Sequence, residues 1–135
     1  MFYLCQAAAR QFIKQGSGVK IISIASLLSF QGGILIPPYT ANKSGLSSIT
    51  KLLANEWAKE NSSIFNPLAP GYMESDAAMP LLRGPVRSKS LMARIPAGGW
   101  GQPEDLQGLA VFPDSDASSY INGFTIAVDG GWLGR

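Results

Sequence analysis

Three short apolar runs, at residues 20–24, 64–68 and 124–128, alternate along the chain with three segments whose apolar residues recur at helical spacing. That alternation constrains the fold more than any single motif. Strands separated by helices can pair in parallel, with the helices packed on the faces of the sheet. The expectation is an α/β chain built on a three-stranded parallel sheet, in the order helix, strand, helix, strand, helix, strand.

In the first helical segment Cys5, Ala8, Ala9, Phe12 and Ile13 fall on one side and Gln6, Arg10 and Lys14 on the other. Gly16-Ser17-Gly18 closes it. Residues 20–24 read as a short buried strand, and 25–38 as a loop rich in Ser, Gly and Pro. The second helix is expected over 39–60, with Leu46, Ile49, Leu53 and Trp57 as its apolar stripe and Lys51, Asn55 and Lys59 facing water. A second strand is expected over 64–68. Pro67 sits awkwardly inside it, because proline removes a ladder donor, and Ala69-Pro70-Gly71 should break it into a loop. Residues 72–102 read as loop, with one modest helical stretch at 86–93. Pro103-Glu104-Asp105 opens the third helix, since proline suits the first turn and acids suit the positive end of the dipole. Leu106, Leu109 and Ala110 give its apolar side, and Pro113 should end it early. The last strand, 124–128, runs into Asp129-Gly130-Gly131, read as a strand-ending turn.

Composition narrows the function. The chain has 135 residues, enough for one domain with a core but short for a complete doubly wound sheet. Hydrophobic residues make up 46% and charged residues 15%, which speaks for a soluble globular body and against disorder. A net charge of +2 with no basic run argues against nucleic acid and anionic membranes as partners. No apolar stretch is long enough to span a bilayer, and the start is not a signal peptide, because Gln6 and Arg10 interrupt it. The lone Cys5 excludes an internal disulfide and fits a reducing, cytoplasmic setting. With no histidine the usual zinc sites and a Ser-His-Asp triad are ruled out, so no metal site is expected and acid–base work falls to Tyr, Lys, Asp or Glu.

Tyr39 and Lys43 stand four positions apart, one helical turn, which sets a phenol beside an ammonium. A neighbouring cation favours the ionised form of a phenol, so such a pair can pass a proton. Ser26 lies just past the end of the first strand, where catalytic loops of α/β proteins gather. A Tyr-x-x-x-Lys pair by itself is most often an exposed helical face; the strand, the serine-bearing loop and the following helix give this one its weight.

These residues carry a specific resemblance. Ile21-Ile22-Ser23-Ile24-Ala25-Ser26, Tyr39-Thr40-Ala41-Asn42-Lys43-Ser44-Gly45, Ala69-Pro70-Gly71 and Val128-Asp129-Gly130-Gly131 resemble, in order and spacing, the carboxyl-terminal half of a short-chain dehydrogenase/reductase. The likeness covers essentially the whole chain. It implies hydride transfer between NAD(H), with NADP not excluded, and a hydroxy/keto sugar acid of the 2-deoxy-D-gluconate or 2-dehydro-3-deoxy-D-gluconate type. It implies Tyr39 as the general acid/base, Lys43 as its electrostatic partner and ribose ligand, and Ser26 as the group that aligns the substrate oxygen. Pro70, Gly71, Met73 and Ser75 would form the loop under the nicotinamide, and assembly would be as a homo-tetramer. No metal is needed for such a transfer. Trp57, Trp100 and Trp132 read as packing or subunit-interface residues, Cys5 as inert core, and Arg83, Arg87 and Arg94 as surface residues able to meet a carboxylate.

The resemblance also has gaps. A complete Rossmann domain opens with a strand, a Gly-rich turn and a helix that binds pyrophosphate. Gly16-Ser17-Gly18 follows a helix instead, and the acidic residue expected at the adenosine ribose is absent. Residues 1–135 are therefore expected to form a single, incomplete Rossmann-type dehydrogenase domain without its amino-terminal dinucleotide-binding half. The segment from Asn61 to Pro67 reads as one residue longer than the family's strand, and Gly99 stands where close relatives tend to carry arginine. A non-catalytic remnant or assembly module, and a 3-oxoacyl-carrier-protein reductase-like enzyme, are the alternatives.

Overall fold

The computed structural model describes residues 1–16, 19–59 and 63–134. Helix α1 (Phe2–Gln15) leads into strand β1 (Val19–Ile24), and helix α2 (Pro37–Trp57) into strand β2 (Ser63–Pro70). Two short helices follow, α3 (Met79–Arg83) and α4 (Pro85–Met92), then α5 (Gln107–Val111) and strand β3 (Ile126–Val128). The strands form one parallel sheet in the order β1-β2-β3. Among the described residues no helix is long and apolar enough to cross a membrane.

Alternation along β1 sorts the two faces of this sheet. Ile21 packs with Cys5 and Ala9 of α1 and Leu53 of α2, beside Phe2, Ile49 and Trp57. Both long helices therefore cover one face. Lys20 points the other way, where its ammonium donates to the Ser115 carbonyl and lies 3.5 Å from Ser118 Oγ. The turns that follow α5 cover that second face. Burial raises the Cys5 thiol above its ordinary value, against smaller opposing pulls from the amino terminus and its own backbone hydrogen bond.

Helix ends follow local chemistry. Gly16 closes α1 at φ 66°, the left-handed conformation that glycine adopts without penalty, and its N–H reaches the Phe12 and Ile13 carbonyls. Ser17 and Gly18 lie outside the described residues. Helix α2 starts at Pro37, two residues before the expected start, because a proline in the first turn gives up an N–H that no helical carbonyl could use. It ends at Trp57; Glu60 lies outside the described residues. Its buried face includes Ser47, Thr50, Leu53 and Ala54, so the core-facing stripe is partly polar. Leu46, Ile49 and Trp57 are only partly buried. The buried hydroxyls are satisfied: Ser47 Oγ meets Thr125 Oγ1 at 2.8 Å, and Thr50 donates to the Leu46 carbonyl.

The central strand corrects the expectation about proline. β2 continues through Ala69 to Pro70 and contains Pro67 as a buried residue. In a parallel strand the backbone groups of alternate residues face opposite neighbours. The Leu68 carbonyl accepts from Ala25, beside β1, and Gly71 N–H donates to Val128, beside β3. Pro67 thus turns its missing donor toward the β3 side, before the pairing with β3 begins at Leu68–Ile126. Pro70 turns its own toward the β1 side, past the last pair, Ile24–Leu68. Neither proline removes a bond from a ladder. The extra residue expected near Asn61 and Ser62 falls outside the described residues.

Other differences are of extent. The stretch 72–102 holds α3 as well as α4, and Asp76–Ala78 forms a 3₁₀ turn. The third helix is a 3₁₀ turn, Pro103–Leu106, continued as α5, which Phe112 and Pro113 end as expected. Ala110, expected on its apolar side, is exposed. The last strand starts at Ile126, because the residues before it are held by side chains. Asn66, 1% exposed in β2, donates through Nδ2 to the Ile121 carbonyl at 2.8 Å and accepts from Phe124 N–H at 3.2 Å.

Two outcomes follow. Asn66→Ala leaves both of those groups without a partner, each costing about 1–3 kcal/mol, so chemical denaturation should show a loss of several kcal/mol or an unfolded chain; a change under 1 kcal/mol would mean that water replaces the amide. Cys5 should react far more slowly with a thiol reagent in the folded chain than in denaturant, and equal rates would contradict its burial.

Candidate functional site

Ile24 and Leu68 are paired neighbours at the carboxyl ends of β1 and β2. Ser26 and Pro70 lie two residues beyond them, so both loops leave the sheet side by side. The chain after β1 turns at once into a 3₁₀ turn, Leu27–Ser29, capped by Ser26, whose Oγ accepts from Leu28 N–H at 3.3 Å. Accepting that bond leaves the Ser26 O–H proton free to be donated elsewhere.

Helix α2 is stitched to this turn. Ser29 Oγ donates to the Lys43 carbonyl at 2.7 Å, and Ser44 Oγ to the Leu28 carbonyl at 2.8 Å. Lys43 itself reaches back to the strand end: Nζ donates to the Ile24 carbonyl at 2.6 Å and stands 5.6 Å from the centre of the Tyr39 ring. An ammonium carries three donors, so two remain after that bond. Tyr39 lies in the first turns of α2 and is 47% exposed, open to a partner from solution. Lys43 is thus the piece that joins Tyr39 to the strand end two residues before Ser26.

The second loop is built on close backbone approach. At Gly71 a Cβ would stand 2.6 Å from Asp129 Cα, so only glycine lets the loop pass the end of β3. Met73 forms a parallel bridge with Gly101, made by Gly101 N–H to the Tyr72 carbonyl and Glu74 N–H to the Gly101 carbonyl. That pattern engages the neighbours of Met73 and turns its own N–H and C=O away from the bridge. Ser75 is exposed, begins the Asp76–Ala78 turn and makes no side-chain cap bond. This loop borders a hollow of about 300 Å³, with Met73, Trp100, Asp105 and Asp129 in its wall; Ser26, Tyr39 and Lys43 do not line it. Among the described residues no group of three or more His, Cys, Asp or Glu is placed to hold a metal ion.

One residue ties the two loops together, and no pattern in the sequence singled it out from the other tryptophans. Trp132, 5% exposed, packs with Leu27 of the Ser26 turn and Ile95. Its Nε1 donates to Gln31 Oε1 at 3.2 Å, and its ring meets Tyr72, the residue after Gly71, at 4.8 Å. The Arg94 guanidinium covers it at 4.2 Å. Asp129 carries Trp132 into place: its carboxylate accepts from the N–H groups of Gly131 and Leu133, each at 2.9 Å. The Asp-Gly-Gly segment is therefore the turn that was expected.

Residues 1–133 match the family described as enoyl-(acyl carrier protein) reductase. The 2-dehydro-3-deoxy-D-gluconate 5-dehydrogenase of Dickeya dadantii is 61% identical over all of this chain, which spans 53% of that protein. An NADP-bound structure from Agrobacterium tumefaciens superposes with a TM-score of 0.96 at 48% identity, over 99% of this chain and 54% of the other. A gluconate 5-dehydrogenase from Burkholderia cenocepacia, in complex with NADP and tartrate, superposes with a TM-score of 0.92 at 40% identity, over 97% of this chain and 51% of the other. The chain thus spans about half the length of the relatives it matches.

Truncating Trp132 tests the clasp. Trp132→Phe keeps most of the ring and loses the bond to Gln31, an expected cost of about 1 kcal/mol. Trp132→Ala should cost about 3–5 kcal/mol in a denaturant melt. Equal stability of the two variants would show that the ring does not hold the loops.

Proposed function

The chain belongs to the short-chain dehydrogenase/reductase family, and on that premise we propose that it carries the proton-handling and nicotinamide-facing half of a sugar-acid dehydrogenase. The reaction is hydride transfer between a nicotinamide cofactor and a hydroxy/keto acid of the 2-dehydro-3-deoxy-D-gluconate or 2-deoxy-D-gluconate type. The observation that carries this reading is the placement of Lys43, bonded to Ile24 and set against Tyr39 beside the Ser26 turn. The relatives' names support the substrate class.

The residues present fit a nicotinamide group, because the loop beside Gly71 leaves the Met73 N–H and C=O without a hydrogen-bond partner among the described residues. Those two groups would hold the carboxamide, with Pro70 and Gly71 shaping the loop and the Ser75 hydroxyl as a further donor. Lys43 would use its remaining donors on the ribose hydroxyls. When bound, the cofactor supplies the acceptor or donor of hydride. Ser26 donates its free proton to the substrate oxygen and fixes it beside Tyr39. Tyr39 takes or returns the hydroxyl proton at its phenolic oxygen, and the Lys43 charge steadies the oxygen while that proton is away. NAD and NADP would both suit this half, since Lys43, Met73 and Ser75 would meet only the nicotinamide end.

On this reading residues 1–135 make one Rossmann-type unit that requires an amino-terminal dinucleotide-binding half. Exposed Tyr3 and Leu4 on α1, and Leu52 on α2, support association of subunits through the helical face, as expected of a homo-tetramer. Those exposed apolar side chains also favour a second reading, in which residues 1–135 act as a non-catalytic remnant or assembly module.

Two measurements separate these readings. Titration of the chain with NAD and NADP should give heat at millimolar cofactor if this half binds the nicotinamide; silence supports the remnant. In a chimera carrying the amino-terminal half of the Dickeya relative, Tyr39→Phe should lower kcat about 10²–10⁴-fold and leave cofactor affinity nearly unchanged. A Phe variant with near-normal turnover would remove Tyr39 from proton transfer.

A further inference from the structure

Asn122 is the only asparagine in the chain that is followed by glycine. It is exposed, in the connection between the 3₁₀ turn Asp116–Ser118 and β3. Among the described residues, neither its amide nor the Gly123 N–H has a hydrogen-bond partner, although the groups on both sides are taken. Ile121 accepts from Asn66 Nδ2, Phe124 N–H donates to Asn66 Oδ1, and Thr125 pairs with Ser47. The connection is thus pinned at both ends, with a free amide nitrogen and a free side-chain carboxamide adjacent in its middle.

We propose that Asn122 is a site of spontaneous backbone-mediated deamidation in the folded protein. The deprotonated Gly123 nitrogen attacks Asn122 Cγ; the N–Cγ bond forms, the Cγ–Nδ2 bond breaks and ammonia leaves with the proton. Water then opens the cyclic imide at either carbonyl, giving aspartate or isoaspartate at position 122. Glycine favours the attack because it has no side chain to shield its nitrogen.

The other asparagines serve as internal controls. Asn42 and Asn55 lie within α2, where the following N–H is committed to the helix. Asn66 precedes Pro67, whose nitrogen carries no proton. Asn61 lies outside the described residues.

The product has a structural consequence. Gly123 sits at φ 71°, and a Cβ there would lie 2.9 Å from Ala54 Cβ, so its backbone is set directly against α2. Isoaspartate inserts one extra backbone carbon immediately before that contact. The pinned connection cannot absorb the added length, so the entry to β3 and the Asn66 bonds must loosen.

The test is peptide mapping of the intact chain, aged at mildly alkaline pH and physiological temperature, with an isoaspartate-specific methyl-transfer assay. A species one mass unit heavier at position 122, rich in isoaspartate and rising with time and pH, is expected, with Asn42, Asn55 and Asn66 unchanged. Asn122→Gln should remove the methyl-transfer signal from the peptide that spans position 122, and aged protein should melt at a lower temperature than fresh. If Asn122 stays intact in the folded chain over a period in which the denatured chain converts, or if the peptide spanning position 122 still carries the signal in Asn122→Gln, the proposal is wrong.

Discussion

The parallel pairing of β2 with both of its neighbours is the constraint on which the rest depends. Ile24 opposite Leu68, and Pro70 opposite Val128, bring three strand ends to one edge of the sheet. Everything chemically suggestive in the chain hangs from that edge. Ser26 follows the first strand end, the Gly71–Ser75 loop follows the second, and Asp129 and Trp132 follow the third. A register slip of one residue would turn the buried Asn66 to the opposite face and release the connection that feeds β3.

The site is held by tethers rather than by one enclosed cavity. Lys43, Ser29 and Ser44 lash α2 to the Ser26 turn, while Trp132 locks that turn to Tyr72 in the neighbouring loop. Each tether ends on a backbone carbonyl or a packed ring, and neither is sensitive to salt in the way an exposed ion pair is. The arrangement leaves particular groups uncommitted: the Ser26 proton, two Lys43 donors, and the Met73 amide and carbonyl. Those are the groups that a nicotinamide and a hydroxy acid would use, which is why this half of the family's fold carries the chemical step in our reading.

The two prolines of β2 show how sequence and structure can disagree without contradiction. Read along the chain, Pro67 sat awkwardly inside a strand, and Pro70 belonged to the segment expected to end it. In the sheet, each faces a flank that the ladder does not reach at that level. Single-strand reasoning had no access to this, because which neighbour a residue faces depends on pairing. Nor could the buried hydroxyls of α2 be read from its apolar stripe. Ser47 is buried only because Thr125 meets it from a segment distant in sequence.

What the sequence determined by itself was local or periodic. The alternation of strands and helices, the close of α1 at Gly16, the early stop before Pro113, the turn at Asp129 and the pairing of Tyr39 with Lys43 one helical turn apart all follow from steric and spacing rules acting over a few residues. Only the tertiary structure decided the length of β2, the anchoring of Lys43 on the Ile24 carbonyl, the freeing of the Met73 backbone by its bridge to Gly101, and the use of Trp132 as a clasp. These depend on groups far apart in the chain meeting in space, and no pattern within a single segment encodes where such a partner will stand.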